Sequence, residues 1–294
     1  MAGNPTTPIP PGLSPEQLAF FERNGFVGPF TALSPEAMAE RYPIFLKALL
    51  HPSPVYGFRT LRDHHLSCRA LFEICSHPAV VERVASLLGP DLLLWRSTIF
   101  RKLPGAARVI WHQEHDFRGH RGTPALDPPS NISAWFAFTE AHRKNGCIQL
   151  FPASHHALLE RRPVAKGMGI FGHDYVFENL PDGKPLYMEV EPGQFFLFNE
   201  RIVHGSDPNT SASERSGISI RLTATSTRIH QGMRVDGQGL PLRNWHAVLL
   251  RGRDAYGHNK LGPPPERDFH PMSGLRESLG AQRHRWLHFR YGTR

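Results

Sequence analysis

The decisive stretch of the chain reads Arg108-Val-Ile-Trp-His-Gln-Glu-His-Asp-Phe117. If residues 109–117 form an extended strand, successive side chains alternate between its two faces. His112 and Glu114 then point the same way, so that one imidazole and one carboxylate converge. This arrangement predicts a metal site on one face of the strand.

A second stretch, Asn199-Glu-Arg-Ile-Val-His-Gly-Ser206, supplies the third ligand that such a site needs. His204 is the best candidate, because it follows the apolar run Gln194-Phe-Phe-Leu-Phe198, which predicts a buried strand. Two neutral nitrogens and one carboxylate oxygen form the facial triad typical of non-haem Fe(II), with positions left open for oxygen and a co-substrate. Asp116 is a rival for the carboxylate, since positions i and i+4 also share a strand face.

An arginine follows the second stretch, beyond the turn-rich segment Gly205 to Ser211. If that turn joins two antiparallel strands, Arg215 returns beside the metal, and its planar guanidinium can hold a carboxylate through two parallel hydrogen bonds. A chelating 2-oxo diacid needs such a clamp. Arg221 is an alternative clamp, because it lies further along on the same strand face.

These residues together resemble the phytanoyl-CoA dioxygenase-like (PhyH-like) family of Fe(II)/2-oxoglutarate-dependent oxygenases. The matching motifs span roughly residues 14–228 and are Trp111-His-Gln-Glu114, Asn145-Gly-Cys147, Phe151-Pro-Ala-Ser-His155, and His204-Gly-Ser206 with Pro208-Asn209 and Arg215. Two positions depart from the family pattern. The family usually has aspartate where this chain has the longer Glu114, and more often has glycine where this chain has Ala153.

The resemblance implies an enzyme that uses Fe(II), 2-oxoglutarate and O2. His112, Glu114 and His204 would hold the iron, and Arg215 would grip the far carboxylate of 2-oxoglutarate. Hydroxylation of a C–H bond, with release of succinate and CO2, is the default outcome; oxidative cyclisation, desaturation and epoxidation would use the same ligands. Halogenation is disfavoured, because the family's halogenases have a small residue where Glu114 stands.

Three further residues are candidates for the co-substrate pocket. The resemblance implies contact between Gln113 and 2-oxoglutarate, although Gln113 lies on the opposite strand face from His112. Ser206 is either a donor to the co-substrate carboxylate or a turn residue, and Trp135 is either a pocket wall or a core residue.

The substrate class follows only from resemblance. The run Leu92-Leu-Leu-Trp95 after Gly89-Pro-Asp91 is similar to bacterial members that hydroxylate small polar metabolites or tailor specialised metabolites. Two rivals from other classes stay open. One is a non-catalytic ligand-binding barrel; the other is a zinc hydrolase, which also uses two histidines and a carboxylate but gives Arg215 no task.

The order of elements predicts a mainly β fold with flanking helices, a double-stranded β-helix of the jelly-roll or cupin-like type. Helix starts stand at Ser14-Pro-Glu-Gln17, Ser34-Pro-Glu36 and His77-Pro78. Strands are predicted at 92–103, 109–117, 132–138, 147–151, 186–190, 194–198 and 218–225. The dipeptide Asn145-Gly146 predicts a hairpin between the third and fourth of these strands.

The predicted organisation is one oxygenase domain over residues 14–294. Its barrel core covers about 92–228, a lid covers 156–185, and a C-terminal extension covers 229–294. Residues 1–13 read as a flexible Pro-rich leader, without the basic-then-apolar plan of a secretion signal.

Composition favours a small-molecule substrate. The net charge is +8, from 34 basic and 26 acidic residues, but the basic residues are scattered, which favours a solvated surface over a nucleic-acid interface. No apolar run approaches the roughly 18 residues of a membrane span, so neither nucleic acid nor membrane is expected as a partner. The oligomeric state is left open. Three cysteines without a Cys-x-x-Cys pair suit a reducing cytoplasm.

Overall fold

The structure, a computed structural model, describes residues 11–114, 125–163, 175–230 and 244–268. Most of the predicted leader, parts of the predicted lid and C-terminal extension, and Asp116 therefore lie outside the described residues. The α-helices within them are α1 (Pro15–Asn24), α2 (Pro35–Leu50), α3 (Arg69–Cys75) and α4 (Pro78–Leu88). No helix in these ranges is long and apolar enough to cross a membrane.

The strands of the described residues are numbered in chain order. They are β1 (Phe26–Thr31), β2 (Leu92–Lys102), β3 (Val109–His112), β4 (Leu126–Asp127), β5 (Ile132–Ala137), β6 (Ile148–Leu150), β7 (Arg161–Pro163), β8 (Tyr175–Phe177), β9 (Leu186–Met188), β10 (Gln194–Asn199), β11 (His204–Ser206), β12 (Arg215–Ala224), β13 (Arg228–Ile229) and β14 (Val248–Arg251).

The predicted helix signals act as expected. Ser14 caps the start of helix α1: its hydroxyl accepts from the Gln17 backbone N–H, while the Gln17 side chain accepts from the Ser14 backbone N–H. Gly25 caps the end of the helix with a left-handed φ of 79°. Helix α4 starts at Pro78 and ends before Gly89. These caps satisfy backbone groups that the helix ends leave unpaired.

Two sheets form the jelly roll. The larger sheet has the order β1-β10-β5-β12-β2-β14, and the smaller has the order β3-β11-β6-β9. One face of the larger sheet packs its apolar side chains against the helices, for example Phe136 and Ile220 with Val80 of α4. Its other face carries Trp135 and Phe196, which pack against Leu150 of the smaller sheet. Alternation along each strand thus separates a helix-covered core from the interior of the barrel.

The hairpin predicted at Asn145-Gly146 is wrong, and the condition set for the turn after Ser206 is not met, because both turns connect strands of different sheets. The turn at Arg143 to Gly146 forms, but it carries the chain from β5 in the larger sheet to β6 in the smaller one. The turn after Ser206 likewise leads from β11 to β12 in the other sheet. The residues of a turn specify a reversal of chain direction, but they do not specify the sheet that the next strand joins.

Strand β3 is shorter than predicted, because it ends at His112 and not at Phe117. The C-terminal part contributes to the larger sheet, since β14 pairs with the edge of β2. Ala153, where the family more often has glycine, adopts the left-handed φ of 62° that favours glycine, so the turn is kept at some cost in backbone strain.

Candidate metal and co-substrate site

The two histidines meet through strand pairing. His112 ends β3, His204 begins β11, and the two are direct partners in the antiparallel ladder. Their ring centroids lie 4.1 Å apart. Residues far apart in sequence therefore become neighbours because β3 and β11 are adjacent in the smaller sheet, as the sequence analysis required.

Backbone carbonyls fix how each imidazole presents its nitrogens. His112 Nδ1 lies 2.8 Å from the Ile110 carbonyl oxygen, and His204 Nδ1 lies 3.0 Å from the Ile202 carbonyl oxygen. A carbonyl only accepts, so Nδ1 carries the hydrogen in each ring and Nε2 keeps its lone pair. Metal-binding histidines are commonly held in this way.

Glu114 completes the cluster. Its Oε1 lies 3.9 Å from His112 Nε2 and 3.6 Å from His204 Nε2. One ligand atom from each of the three residues falls within 4.8 Å of the other two. Glu114 follows the end of β3, and its backbone N–H donates to the Glu200 carbonyl oxygen at 2.8 Å. The convergence predicted from strand alternation is thus reached, although the strand itself stops earlier.

Arg221 holds the other oxygen of the same carboxylate. Its Nη2 donates to Glu114 Oε2 at 2.5 Å, and both side chains are about one-tenth exposed or less. Burial opposes ionisation of Glu114, but the charge of the Arg221 guanidinium acts in the other direction, and the pKa of Glu114 lies well below its usual range. Arg221, which the sequence allows as an alternative clamp, lies instead against the Glu114 carboxylate.

Gln113 has backbone partners on the far side of the strand. Its Nε2 donates to the carbonyl oxygens of Ala157 and Arg201, and its Oε1 accepts from the Leu159 backbone. These contacts tie the end of β3 to two neighbouring segments. Contact between Gln113 and a co-substrate stays a prediction, and the partners seen here give its amide a structural task.

Arg215 lies at the start of β12 and is 4% exposed. Its Nε and Nη2 donate to the Gly146 carbonyl oxygen at 3.1 and 3.0 Å, and its guanidinium carbon lies 5.4 Å from the centroid of the Trp135 ring. Glycine is needed at 146, where φ is 76° and a Cβ would come within 2.5 Å of the Asp207 carbonyl oxygen. The motif residues Asn145-Gly146 therefore help to place this arginine.

Lys102 is a residue of this region that the sequence analysis missed. It ends β2 as the ladder partner of Arg215, and its Nζ donates to Ser206 Oγ at 2.7 Å and to the Asp207 carbonyl oxygen. Burial and the nearby Arg215 charge lower the pKa of Lys102 to about 7. No local motif marks it; only the register between β2 and β12 brings it beside Arg215.

The Phe151-Pro-Ala-Ser-His155 motif supports the strand that carries His204. Ser154 Oγ donates to the Phe151 carbonyl oxygen at 2.6 Å and accepts from the Val203 backbone N–H at 2.8 Å. His155 instead packs against Gly25 and bonds the Glu22 carbonyl. The motif therefore braces β11 and places no side chain of its own among the three candidate ligands.

A second buried carboxyl lies beside the cluster. Glu200 is 4% exposed, and its Oε2 accepts from the Asn131 side chain. Burial raises the pKa of Glu200 to about 7, and the nearby Glu114 charge acts in the same direction. A group in this condition is partly neutral near pH 7, so it adds less negative charge to the site than an exposed glutamate.

The comparisons place the chain among known proteins. The family model for phytanoyl-CoA dioxygenase (PhyH) matches residues 21–217. The peroxisomal phytanoyl-CoA dioxygenase of Rattus norvegicus is 24% identical over 234 residues, which cover 70% of this chain and 67% of the relative. The ectoine dioxygenase of Nocardia farcinica is 24% identical over 232 residues, covering 69% of this chain and 75% of the relative.

Solved structures agree on the fold. CytC3 with Fe(II) and alpha-ketoglutarate is 30% identical with a TM-score of 0.72, over 88% of this chain and 96% of that chain. The non-heme monooxygenase ThoJ in its apo form is 24% identical with a TM-score of 0.69, over 86% of this chain and 90% of that chain. The family match includes the three candidate ligands, Lys102 and Arg215, whereas Arg221 lies beyond its end.

Proposed function

The chain belongs to the phytanoyl-CoA dioxygenase family, and from that premise we propose that it hydroxylates a C–H bond of a small polar metabolite or of a specialised-metabolite, antibiotic-type intermediate. It is a non-haem iron, 2-oxoglutarate-dependent dioxygenase, and its cofactors are Fe(II), 2-oxoglutarate and O2. The single observation that carries the site assignment is the cluster of His112, Glu114 and His204 in a barrel that also holds a buried arginine.

The three residues fit iron by the chemistry of their donor atoms. Two imidazole Nε2 atoms and one carboxylate oxygen approach one another within 4.8 Å, and both Nδ1 hydrogens are committed to backbone carbonyls. Two nitrogens and one oxygen on one side of a metal match the triad of Fe(II) oxygenases, which leaves positions for the co-substrate and oxygen. We assign His112, Glu114 and His204 as the metal ligands.

A second set of residues fits the far carboxylate of 2-oxoglutarate. Arg215 and Lys102 are cationic neighbours at the ends of paired strands, and Ser206 Oγ lies 2.7 Å from Lys102 Nζ. Guanidinium, ammonium and hydroxyl groups all donate to carboxylates. We assign Arg215 as the residue that binds the far carboxylate of 2-oxoglutarate. Lys102 and Ser206 lie beside it, and the Trp135 ring would form one wall of the co-substrate pocket.

When bound, iron and 2-oxoglutarate would supply the oxidation of a substrate C–H bond by O2, with succinate and CO2 formed from the co-substrate. The residues of the chain orient the bound groups and exclude water from them. Phe198 places its ring 5.1 Å from that of His204, and His204 is 5% exposed, so the histidine face is largely dry. Low exposure to water strengthens the ion pair of Glu114 with Arg221.

Hydroxylation is the outcome we propose, because it is the default outcome that membership of the family implies. Oxidative cyclisation, desaturation or epoxidation would use the same ligands with a differently placed substrate. Halogenation is not proposed, since Glu114 stands at the position that a halide would need. We also propose a cytoplasmic location, which the buried, unpaired Cys68, Cys75 and Cys147 suit.

The test is succinate formation from 2-oxoglutarate under air with Fe(II) and ascorbate, followed by a panel of small polar compounds screened for gain of one oxygen atom. We expect succinate to depend on iron and to rise in the presence of an accepted substrate. Tight retention of zinc with hydrolysis and without succinate would instead support the zinc hydrolase alternative.

A further inference from the structure

We propose that Arg221 is a positioning residue: by holding Oε2 of Glu114 it keeps this carboxylate a one-oxygen ligand, and thereby keeps open a coordination position that the co-substrate needs. The proposal rests on the metal site assigned above. It concerns a residue that lies beyond the family match, which ends at residue 217.

The two oxygens of Glu114 have different neighbours. Oε2 lies 2.5 Å from Arg221 Nη2, whereas Oε1 faces the imidazoles, 3.6 Å from His204 Nε2 and 3.9 Å from His112 Nε2. A hydrogen bond between a guanidinium and a carboxylate is charge-assisted and short, and it is stronger than a neutral one. Oε2 is therefore occupied by the arginine while Oε1 is directed at the metal position.

Such a restraint matters more for glutamate than for the aspartate that the family usually has here. Glutamate has one more methylene and one more rotatable bond, so both of its oxygens can swing onto a single ion, and carboxylates bind metals through one oxygen or two. A facial triad works because three positions stay open, and a chelating 2-oxo acid takes two of them. A second bond from Glu114 would compete directly with that chelation.

The surrounding sheet holds Arg221 in place. Its strand β12 is paired on both sides, so that Arg221 faces Arg96 of β2 and Ser133 of β5 across the ladders. Burial disfavours the Arg221 cation, and so do the charges of Arg96 and Arg62, whereas the charge of Glu114 favours it. The contact with Glu114 therefore stabilises the charged guanidinium.

A purely neutralising role for Arg221 makes a different prediction. If Arg221 only keeps the buried carboxyl ionised, its loss weakens metal binding itself, because Glu114 must then give up a proton before it can bind the ion. If it restrains Oε2, its loss leaves metal binding nearly intact and weakens the chelating co-substrate. The two roles are separated by measuring the metal and the 2-oxo acid independently.

The experiment uses Arg221→Met and Arg215→Met, each loaded with Co(II) as a redox-silent stand-in for Fe(II), and titrates 2-oxoglutarate and pyruvate by the change in the Co(II) visible spectrum. Pyruvate has the chelating 2-oxo acid end but no far carboxylate. For Arg221→Met we expect Co(II) affinity within about threefold of wild type, and about ten- to a hundredfold weaker binding of both 2-oxo acids. For Arg215→Met we expect weaker 2-oxoglutarate and unchanged pyruvate.

Two outcomes overturn the proposal. One is pyruvate binding by Arg221→Met within twofold of wild type; the other is a loss of Co(II) affinity of more than tenfold. If the methionine variant does not fold, as judged by its melting curve, Arg221→Gln is measured against the same two limits. A wild-type protein that binds Co(II) but no 2-oxoglutarate contradicts the proposed function itself, which separates that failure from a failure of the role of Arg221.

Discussion

The proposed site has two ends, which we call the metal end (His112, Glu114 and His204) and the anion end (Arg215, Lys102 and Ser206), and they handle charge in opposite ways. At the metal end, Glu114 is already paired with Arg221, so a carboxylate and a cation balance each other. At the anion end, Arg215 and Lys102 are neighbouring cations, and burial together with the Arg215 charge lowers the pKa of Lys102 to about 7. The metal end is thus organised before anything binds, whereas the anion end carries repulsion that a bound dianion relieves.

One short strand links the two ends. His204 and Ser206 both lie on β11 with their side chains on the same face, and they are two residues apart. His204 belongs to the metal end, and Ser206 accepts from Lys102 at the anion end. Because the ends share a strand but not a charge pair, changes at the anion end should weaken co-substrate binding without weakening metal binding.

The largest expected effect is that of removing a proposed metal ligand. We expect His204→Ala to lower Fe(II) affinity by more than about a hundredfold and to abolish succinate formation, because the proposed site then loses one of its three donor atoms. The measurement is metal titration of the apo protein together with succinate yield. His156→Ala is the matched control, since His156 is exposed and bonds only to the Arg23 carbonyl in the described part of the chain. Retained iron affinity in His204→Ala would remove His204 from the site.

Removal of the clamp should affect the other end alone. We expect Arg215→Ala to raise the 2-oxoglutarate concentration needed for half-maximal succinate formation by about ten- to a hundredfold, the range for hydrogen bonds to a charged group. Iron content should stay close to that of wild type. Arg69→Ala is the control, because Arg69 forms an exposed ion pair with Glu73 and belongs to neither end of the proposed site. Equal loss of iron and 2-oxoglutarate binding would contradict the separation of the two ends.

The two ends also differ in how far sequence could predict them. The proximity of His112 and Glu114 could be predicted from sequence, because the two residues stand two positions apart within one motif, although β3 ends at His112. His204 and Arg215 followed from their spacing within a known family pattern. The position of Lys102 beside Arg215 could not be predicted, since the two residues are distant in sequence and meet only through the register of β2 and β12. The contact of Arg221 with Glu114 was hidden for the same reason.

The fold shows the same limit in its connections. Helix caps at Ser14 and Gly25 are local, so their chemistry could be read directly from the sequence. The turns at Gly146 and after Ser206 were also recognised, but each carries the chain into the opposite sheet. Which sheet a strand joins depends on distant partners that bury its apolar face, and no local pattern encodes that choice.

The smallest expected effect is a pH dependence confined to the anion end. Lys102 has a lowered pKa of about 7, so it is cationic below that pH and neutral above it. A bound dianion favours the cation, so binding takes up a proton above pH 7, and 2-oxoglutarate affinity should fall as pH rises from 7 to 8.5, by at most about tenfold per pH unit. The measurement is a Co(II)-monitored titration at each pH.

Two controls identify Lys102 as the source of this slope. Pyruvate should bind with little change over the same interval, because it has no far carboxylate for Lys102 to meet. Lys102→Met should bind 2-oxoglutarate more weakly but with a flat profile, since the titrating group is gone. A slope that persists in Lys102→Met, or that appears equally with pyruvate, would assign the titration to the metal end. The contrast in charge between the two ends would then be wrong. The charge of the anion end would no longer depend on whether 2-oxoglutarate is bound.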